Sequence, residues 1–193
     1  MILEGIVTTK SEDGAINVAP MGPVVDESMT SLLLRPFKTS TTYANLKFNR
    51  QGVLHVTDDV LLLAKTAIGR LDQLPPLQPA EVVDGGVLCD ACRYFEFKIV
   101  EFDDADDRTR LHANVVNIGR LRDFFGFNRA KHAVIEMAIL ATRLHILDRT
   151  HVLDAYERLS EIVLKTAGPQ ELTAHDLLQS HVQQFMTETS CAE

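Results

Sequence analysis

Tryptophan is absent and aromatic residues make up only 6% of the 193-residue chain, so a planar ligand has few rings to stack against. Cysteine is scarce as well: three residues, an odd number, argue against a disulfide framework and fit a reducing compartment. No apolar run approaches the roughly 20 residues of a membrane-crossing helix. The start, Met1-Ile2-Leu3-Glu4-Gly5, lacks the basic head and apolar core of a secretory signal, and a cytoplasmic location is expected from this. Basic residues are outnumbered, 19 Lys and Arg against 27 Asp and Glu, and the net charge of −8 argues against a general nucleic-acid surface, which needs clustered cations to displace counterions. No Gly-x-Gly-x-x-Gly fingerprint is present, so a dedicated nicotinamide domain is not expected. An anionic ligand must therefore be met by a local group of cations.

What is present is an ordinary globular composition, 46% apolar and 24% charged, long enough for one domain, or one domain with a helical extension. Its focus is the stretch from Leu32 to Leu46. Leu32-Leu33-Leu34-Arg35 reads as a strand stopped by Pro36, which has no N–H to give a sheet. Thr39, Ser40, Thr41 and Thr42 are natural N-caps, and a short helix is predicted from Thr42 to Phe48. The first turn of a helix leaves amides unpaired at the positive end of its dipole, a ready site for an anion. Arg35 and Lys38 flank that turn, so cations, hydroxyls and free amides converge where a phosphate fits.

Around this corner, Ile2–Thr9 and Ala15–Ala19 read as a hairpin turned by Asp13-Gly14, and Pro20-Met21-Gly22-Pro23 ends the second strand. Gly52 is the expected C-cap of the short helix, and Gly52–Thr57 returns as a strand carrying His55 and Thr57. Val60–Ile68 reads as a short buried helix, and Leu74–Ala80 as a proline-rich surface crossing. Cys89 and Cys92 have no second pair to complete a metal site. Arg93–Val100 and Thr109–Arg120 alternate like strands, joined by the acidic run Asp103–Asp107, a solvated tip; His112, Asn114 and Asn117 stand where a ligand or second subunit is met. After Gly126 the period lengthens to that of helices: one capped by Asn128, one over Val152–Ala167, and one from Thr173. Arg129, Glu136 and Arg143, seven apart, share one line of the first.

The order of these motifs, from Ala19-Pro20-Met21-Gly22 through the Arg35–Asn45 corner to Asn128-Arg129-Ala130 and Arg143-Leu144-His145, resembles the FMN-binding split-barrel superfamily of flavin reductases and pyridoxamine-phosphate oxidases. Within it, the chain looks like an uncharacterised branch known mainly from methane-producing archaea and from bacteria with tetrahydromethanopterin-linked one-carbon chemistry. The resemblance implies an α+β fold: an antiparallel Greek-key split β-barrel over residues 1–127, with a helical extension over 128–193 packed on it as a cap. It implies a homodimer holding FMN, with the phosphate near Arg35, Pro36, Lys38, Thr39, Ser40, Thr41, Thr42 and Asn45. Pro20, Met21, Gly22, His55 and Thr57 are expected nearby, with Arg129 and Arg143 from the cap. Phe37, Tyr43, Tyr94 and Phe95 are the rings that stand to cover the flavin. The implied activity is a flavin-dependent oxidoreductase with a small-molecule donor or acceptor. The alternative is a non-catalytic flavin- or pterin-binding accessory protein of one-carbon metabolism.

Overall fold

The computed structural model describes residues 1–190, with side chains through 188. Its contacts divide the chain into two compact units, one formed by Met1–Thr57 and Gln73–Phe124, the other by Asp58–Asp72 and the chain from Phe125 onward.

The first unit is a curled antiparallel sheet. Its strands are β1 (Gly5–Lys10), β2 (Ile16–Met21), β3 (Val24–Val25), β4 (Ser31–Leu34), β5 (Gln51–Val56), β8 (Arg93–Asp103) and β9 (Arg110–Arg120), and they lie in the order β2-β1-β5-β8-β9-β4-β3. A separate ribbon pairs β6 (Leu77–Pro79) with β7 (Gly86–Leu88), so the proline-rich crossing contributes a short edge strand rather than plain loop. One helix, α1 (Thr41–Asn49), follows β4.

The β1–β2 hairpin forms at Asp13-Gly14 as expected, with Lys10 opposite Ile16 and Gly14 at φ +90°, a conformation glycine adopts without a Cβ penalty. At the far edge, the amide of Leu3 donates to Pro23 and that of Val25 to Met1, and Ile2 bridges Val24. The last strand thereby meets the segment leading into β1, and the sheet curls into a half-barrel. Its interior is filled by Val7, Leu32, Leu34, Leu54, Phe95, Phe97 and Leu111, with Leu46 of α1. Each such buried side chain contributes about 1.5–3 kcal/mol.

Helix α1 ends differently from expectation. Its C-cap is Arg50, left-handed at φ 57°, whose amide donates to Leu46, while Gly52 already belongs to β5. The Arg50 guanidinium lies 4.4 Å from the Phe102 ring centroid, a contact that helps hold the uncommon backbone.

The second unit is all helix: α2 (Val60–Ala67), α3 (Arg129–Ala141), α4 (Arg149–Thr166) and α5 (Pro169–Ser190). Asn128 and Asp148 cap α3 and α4 as acceptors, and Pro169 opens α5, where its missing N–H costs nothing. Met137, Val134, Val152, Val163, Ala174 and Leu178 form its core together with Val60 and Leu63. The helical unit thus takes in a segment from well before the change of period at Gly126, because α2 shares the apolar core of the later helices. Among the described residues no helix is long and apolar enough to cross a membrane.

Candidate functional site

In the sheet unit, the end of β2, the turn after β4 and the start of α1 enclose a cleft of about 250 Å³. It is lined by Pro20, Met21 and Gly22 on one side and by Arg35, Pro36, Phe37, Ser40 and Thr42 on the other, with Arg108 from the β8–β9 hairpin. Seven of the residues expected at the ligand therefore meet: Pro20, Met21, Gly22, Arg35, Pro36, Ser40 and Thr42.

Each is held by local chemistry. Ser40 is the N-cap of α1; its hydroxyl accepts from the Tyr43 amide at 3.2 Å and donates to the Phe37 carbonyl at 2.7 Å. The amides of Thr41 and Thr42 open the helix and have no carbonyl within it to reach. Thr42 accepts from Asn17 Nδ2 at 3.1 Å, which ties the helix start to β2. Arg35 follows β4 directly. Among the described residues, its Nε and Asn49 Oδ1 are the buried side-chain polar atoms without a hydrogen-bond partner. Such a donor is costly to leave unpaired, and Arg35 is among the residues that line the cleft. At Gly22 a Cβ would come within 2.8 Å of Glu4 Oε1 and 2.9 Å of Ile2 Cγ2, so a larger residue there must displace those side chains.

Other expected residues are placed elsewhere. Lys38 turns toward the β8–β9 hairpin, where Nζ donates to Ala105 O at 3.3 Å, and Thr39 and Thr41 are exposed outside the cleft lining. Asn45 is buried and donates to Thr9 Oγ1 at 3.0 Å, pinning α1 to β1. His55 is fully buried: Nδ1 bonds the Ile6 carbonyl at 3.1 Å and Nε2 accepts from the Leu88 amide at 3.0 Å. Burial pulls its pKa down to about 4, so the ring is neutral and holds β5 to its neighbours. Thr57 follows the end of β5 and is not part of the cleft lining. Arg129 opens α3 and Arg143 lies just past its end, both exposed in the helical unit.

Of the rings considered as covers, Phe37 lines the cleft and is 56% exposed. Tyr43 is committed to Asp104, Tyr94 to Glu81, and Phe95 to the core. The acidic run is less free than a solvated tip: Asp104 Oδ2 accepts from Tyr43 Oη at 2.8 Å and Lys47 Nζ at 3.1 Å, and these bonds hold its carboxyl below the usual range. Asn117, expected to meet a ligand or subunit, donates instead to Glu96 at 2.9 Å. Burial pushes the Glu96 carboxyl up, but bonds from Asn117 and from the amides of Glu81, Val82 and Val83 outweigh it and hold the pKa low.

Arg108 was missed because it sits directly behind four aspartates, which mask a lone cation in any reading by local charge. A larger cleft of about 400 Å³ lies in the helical unit between α4 and α5, but Glu157 and Glu161 line it and no Lys or Arg does, so it does not suit an anion. Among the described residues no group of three or more His, Cys, Asp or Glu is placed to hold a metal.

Two family models cover nearly all of the chain: the N-terminal domain of DUF447, a protein of unknown function, matches residues 3–122, and its companion DUF447 model matches 128–180. The chain belongs to the DUF447 family. No curated protein matches the DUF447 chain in sequence. Among solved structures, it is similar to an FMN-bound DUF447 protein from Methanosarcina mazei, at 24% identity and TM-score 0.77, over 93% of this chain and 94% of that one. A 2-nitrobenzoate 2-nitroreductase of Pseudomonas fluorescens shares the fold over 61% of this chain and 64% of its own, at 17% identity and TM-score 0.51. The flavin reductase of styrene monooxygenase from Pseudomonas putida does so over 62% and 81%, at 14% identity and TM-score 0.52. These likenesses establish the split-barrel fold of the DUF447 chain.

Proposed function

We propose that this DUF447 protein binds FMN in the cleft beside α1, with the phosphate at Arg35, Ser40 and the first amides of the helix. The observation that carries this is Arg35, a cation whose Nε has no partner within the protein, lining the same cleft as a capped helix N-terminus. The FMN-bound family member with the same fold supports it. Charge-assisted hydrogen bonds contribute about 1.5–3 kcal/mol each, so three or four approach the roughly 8 kcal/mol of micromolar affinity, before the costs of association.

Bound flavin supplies the electron-transfer chemistry, and the protein's part is to bind, orient and shield it. Arg35 and Ser40 anchor the phosphate, the Pro20–Gly22 backbone forms the opposite wall, and Phe37 offers the ring nearest the cleft. We place the protein among oxidoreductases of the flavin-reductase kind, with a small-molecule donor or acceptor whose identity is open. The nitroreductase and flavin-reductase neighbours support that reading.

A second reading is a non-catalytic flavin- or pterin-binding accessory protein of one-carbon metabolism, which would hold the flavin in the same cleft without turnover. We also propose a homodimer, supported by the exposed apolar side chains Val100 of β8 and Val116 and Ile118 of β9, 60%, 40% and 48% accessible.

The test is a visible absorption titration with FMN, followed by anaerobic addition of NADH or NADPH. A shifted flavin band that bleaches with reductant supports the oxidoreductase. A band that shifts without bleaching favours the accessory role, and no shift overturns both.

A further inference from the structure

Arg108 reaches the cleft from a distant part of the chain, and several contacts put it there. On either side of it, the Asp107 carbonyl accepts from the Lys38 amide at 3.0 Å, and the Thr109 amide and hydroxyl both donate to the Pro36 carbonyl, at 3.1 and 2.8 Å. Phe37 and Arg108 form an antiparallel bridge between those rungs, and the guanidinium carbon lies 5.6 Å from the Phe37 ring centroid. The hairpin tip is secured a second time by Asp104, which holds Tyr43 and Lys47 of α1. Residues some 70 apart in sequence thus form a short two-stranded clamp that carries Arg35 at one end and Arg108 in its middle.

We infer that Arg108 is the second cation of the phosphate corner and selects for a terminal phosphate monoester over ligands that lack one. This rests on the FMN reading given above and deepens it. A phosphate monoester carries close to two negative charges at neutral pH, and a single guanidinium with neutral donors balances only one of them. Two arginines lining one cleft match that charge, and guanidinium suits phosphate because its planar fork of donors can bond bidentately. The contact with the Phe37 ring helps to orient the guanidinium group. Riboflavin offers the same ring without the phosphate, and FAD presents a diester that continues into a nucleotide, so both make less use of the paired cations.

The experiment measures flavin fluorescence quenching with FMN, riboflavin and FAD for the wild type, Arg108→Ala and Arg108→Lys, with circular dichroism to verify folding. Arg108→Ala is expected to weaken FMN about 10- to 100-fold while leaving riboflavin within about twofold, and Arg108→Lys to restore part of the loss. If the wild type binds FMN and Arg108→Ala keeps its FMN-to-riboflavin ratio, the role of Arg108 is overturned while the FMN site stands. If Arg108→Ala weakens FMN and riboflavin equally, Arg108 shapes the cleft without selecting phosphate, and the inference also fails. Should Arg108→Ala not fold, a folded Arg108→Lys with an unchanged FMN-to-riboflavin-to-FAD profile, together with an unchanged profile for Arg108→Gln, overturns it. If the wild type binds no FMN at all, the underlying reading falls and this inference with it.

Discussion

Thr109 donates twice to one oxygen of Pro36, through its amide at 3.1 Å and its hydroxyl at 2.8 Å, and so locks the β8–β9 hairpin to the turn that presents Arg35. Replacing Thr109 with Val keeps the shape and the amide bond but removes the buried hydroxyl bond. We expect a loss of about 0.5–1.5 kcal/mol in unfolding free energy, read from the urea midpoint. An unchanged midpoint would show that the amide alone satisfies Pro36.

Arg35→Ala removes the cation whose Nε is buried without a partner. FMN affinity should fall by about 1–3 kcal/mol, while the fold is retained because no described hydrogen bond of the side chain at Nε is lost. Equal FMN affinity in wild type and variant, measured by fluorescence titration, would place the phosphate elsewhere.

His55 makes stability depend on pH. Its folded pKa of about 4 lies below the ordinary value of 6.5, so the unfolded chain binds the extra proton between them. The contribution is complete above pH 6.5 and is lost as pH falls toward 4, with a slope of at most about 1.4 kcal/mol per pH unit. Unfolding midpoints across that window should drop for the wild type. They should be flatter for His55→Leu, which begins about 1–3 kcal/mol less stable because the Leu88 amide loses its acceptor. Parallel curves would rule out His55 as the source.

Lys131 and Glu171 form a pair at 2.7 Å with side chains only 12% and 8% exposed, and Lys131 Nζ also donates to the Asp58 carbonyl at 2.7 Å. Lys131→Met leaves the carboxylate buried without its charge partner and should cost about 3–5 kcal/mol. Changing both residues, Lys131→Met with Glu171→Leu, should recover much of that loss in thermal unfolding. If the double variant is no more stable than the single, the pair is not what the lysine supports.

How much of this was readable from the sequence varies with the range of the interaction. The Asp13-Gly14 hairpin and the Ser40 cap follow from local conformational preference, and both stand where expected. Arg35, Pro36, Ser40 and Thr42 were legible because a strand end, a proline and a cap lie within a few residues of one another. Lys38 and Asn45 carry the right chemistry at the right spacing, but each is engaged by a distant partner, Ala105 and Thr9. His55 was ambiguous for the same reason, since its two acceptor and donor partners, Ile6 and Leu88, come from β1 and β7. Arg108 joins the cleft through a bridge to Phe37 and the bonds of Asp107 and Thr109 on either side of it, and no local pattern encodes those contacts. The helix end at Arg50 escaped because a left-handed arginine is rarer than the glycine two residues later.

The helix Val60–Ala67 has a consequence for how this chain can be divided. Its buried Val60, Leu63 and Ala64 complete a core whose other members come after residue 128, although the chain returns to the sheet unit in between. A single cut near residue 125 would leave those apolar side chains bare on one piece and a gap on the other. The helical part is therefore not a tail that one cut at its start can remove intact; a clean excision must take Asp58–Asp72 with it.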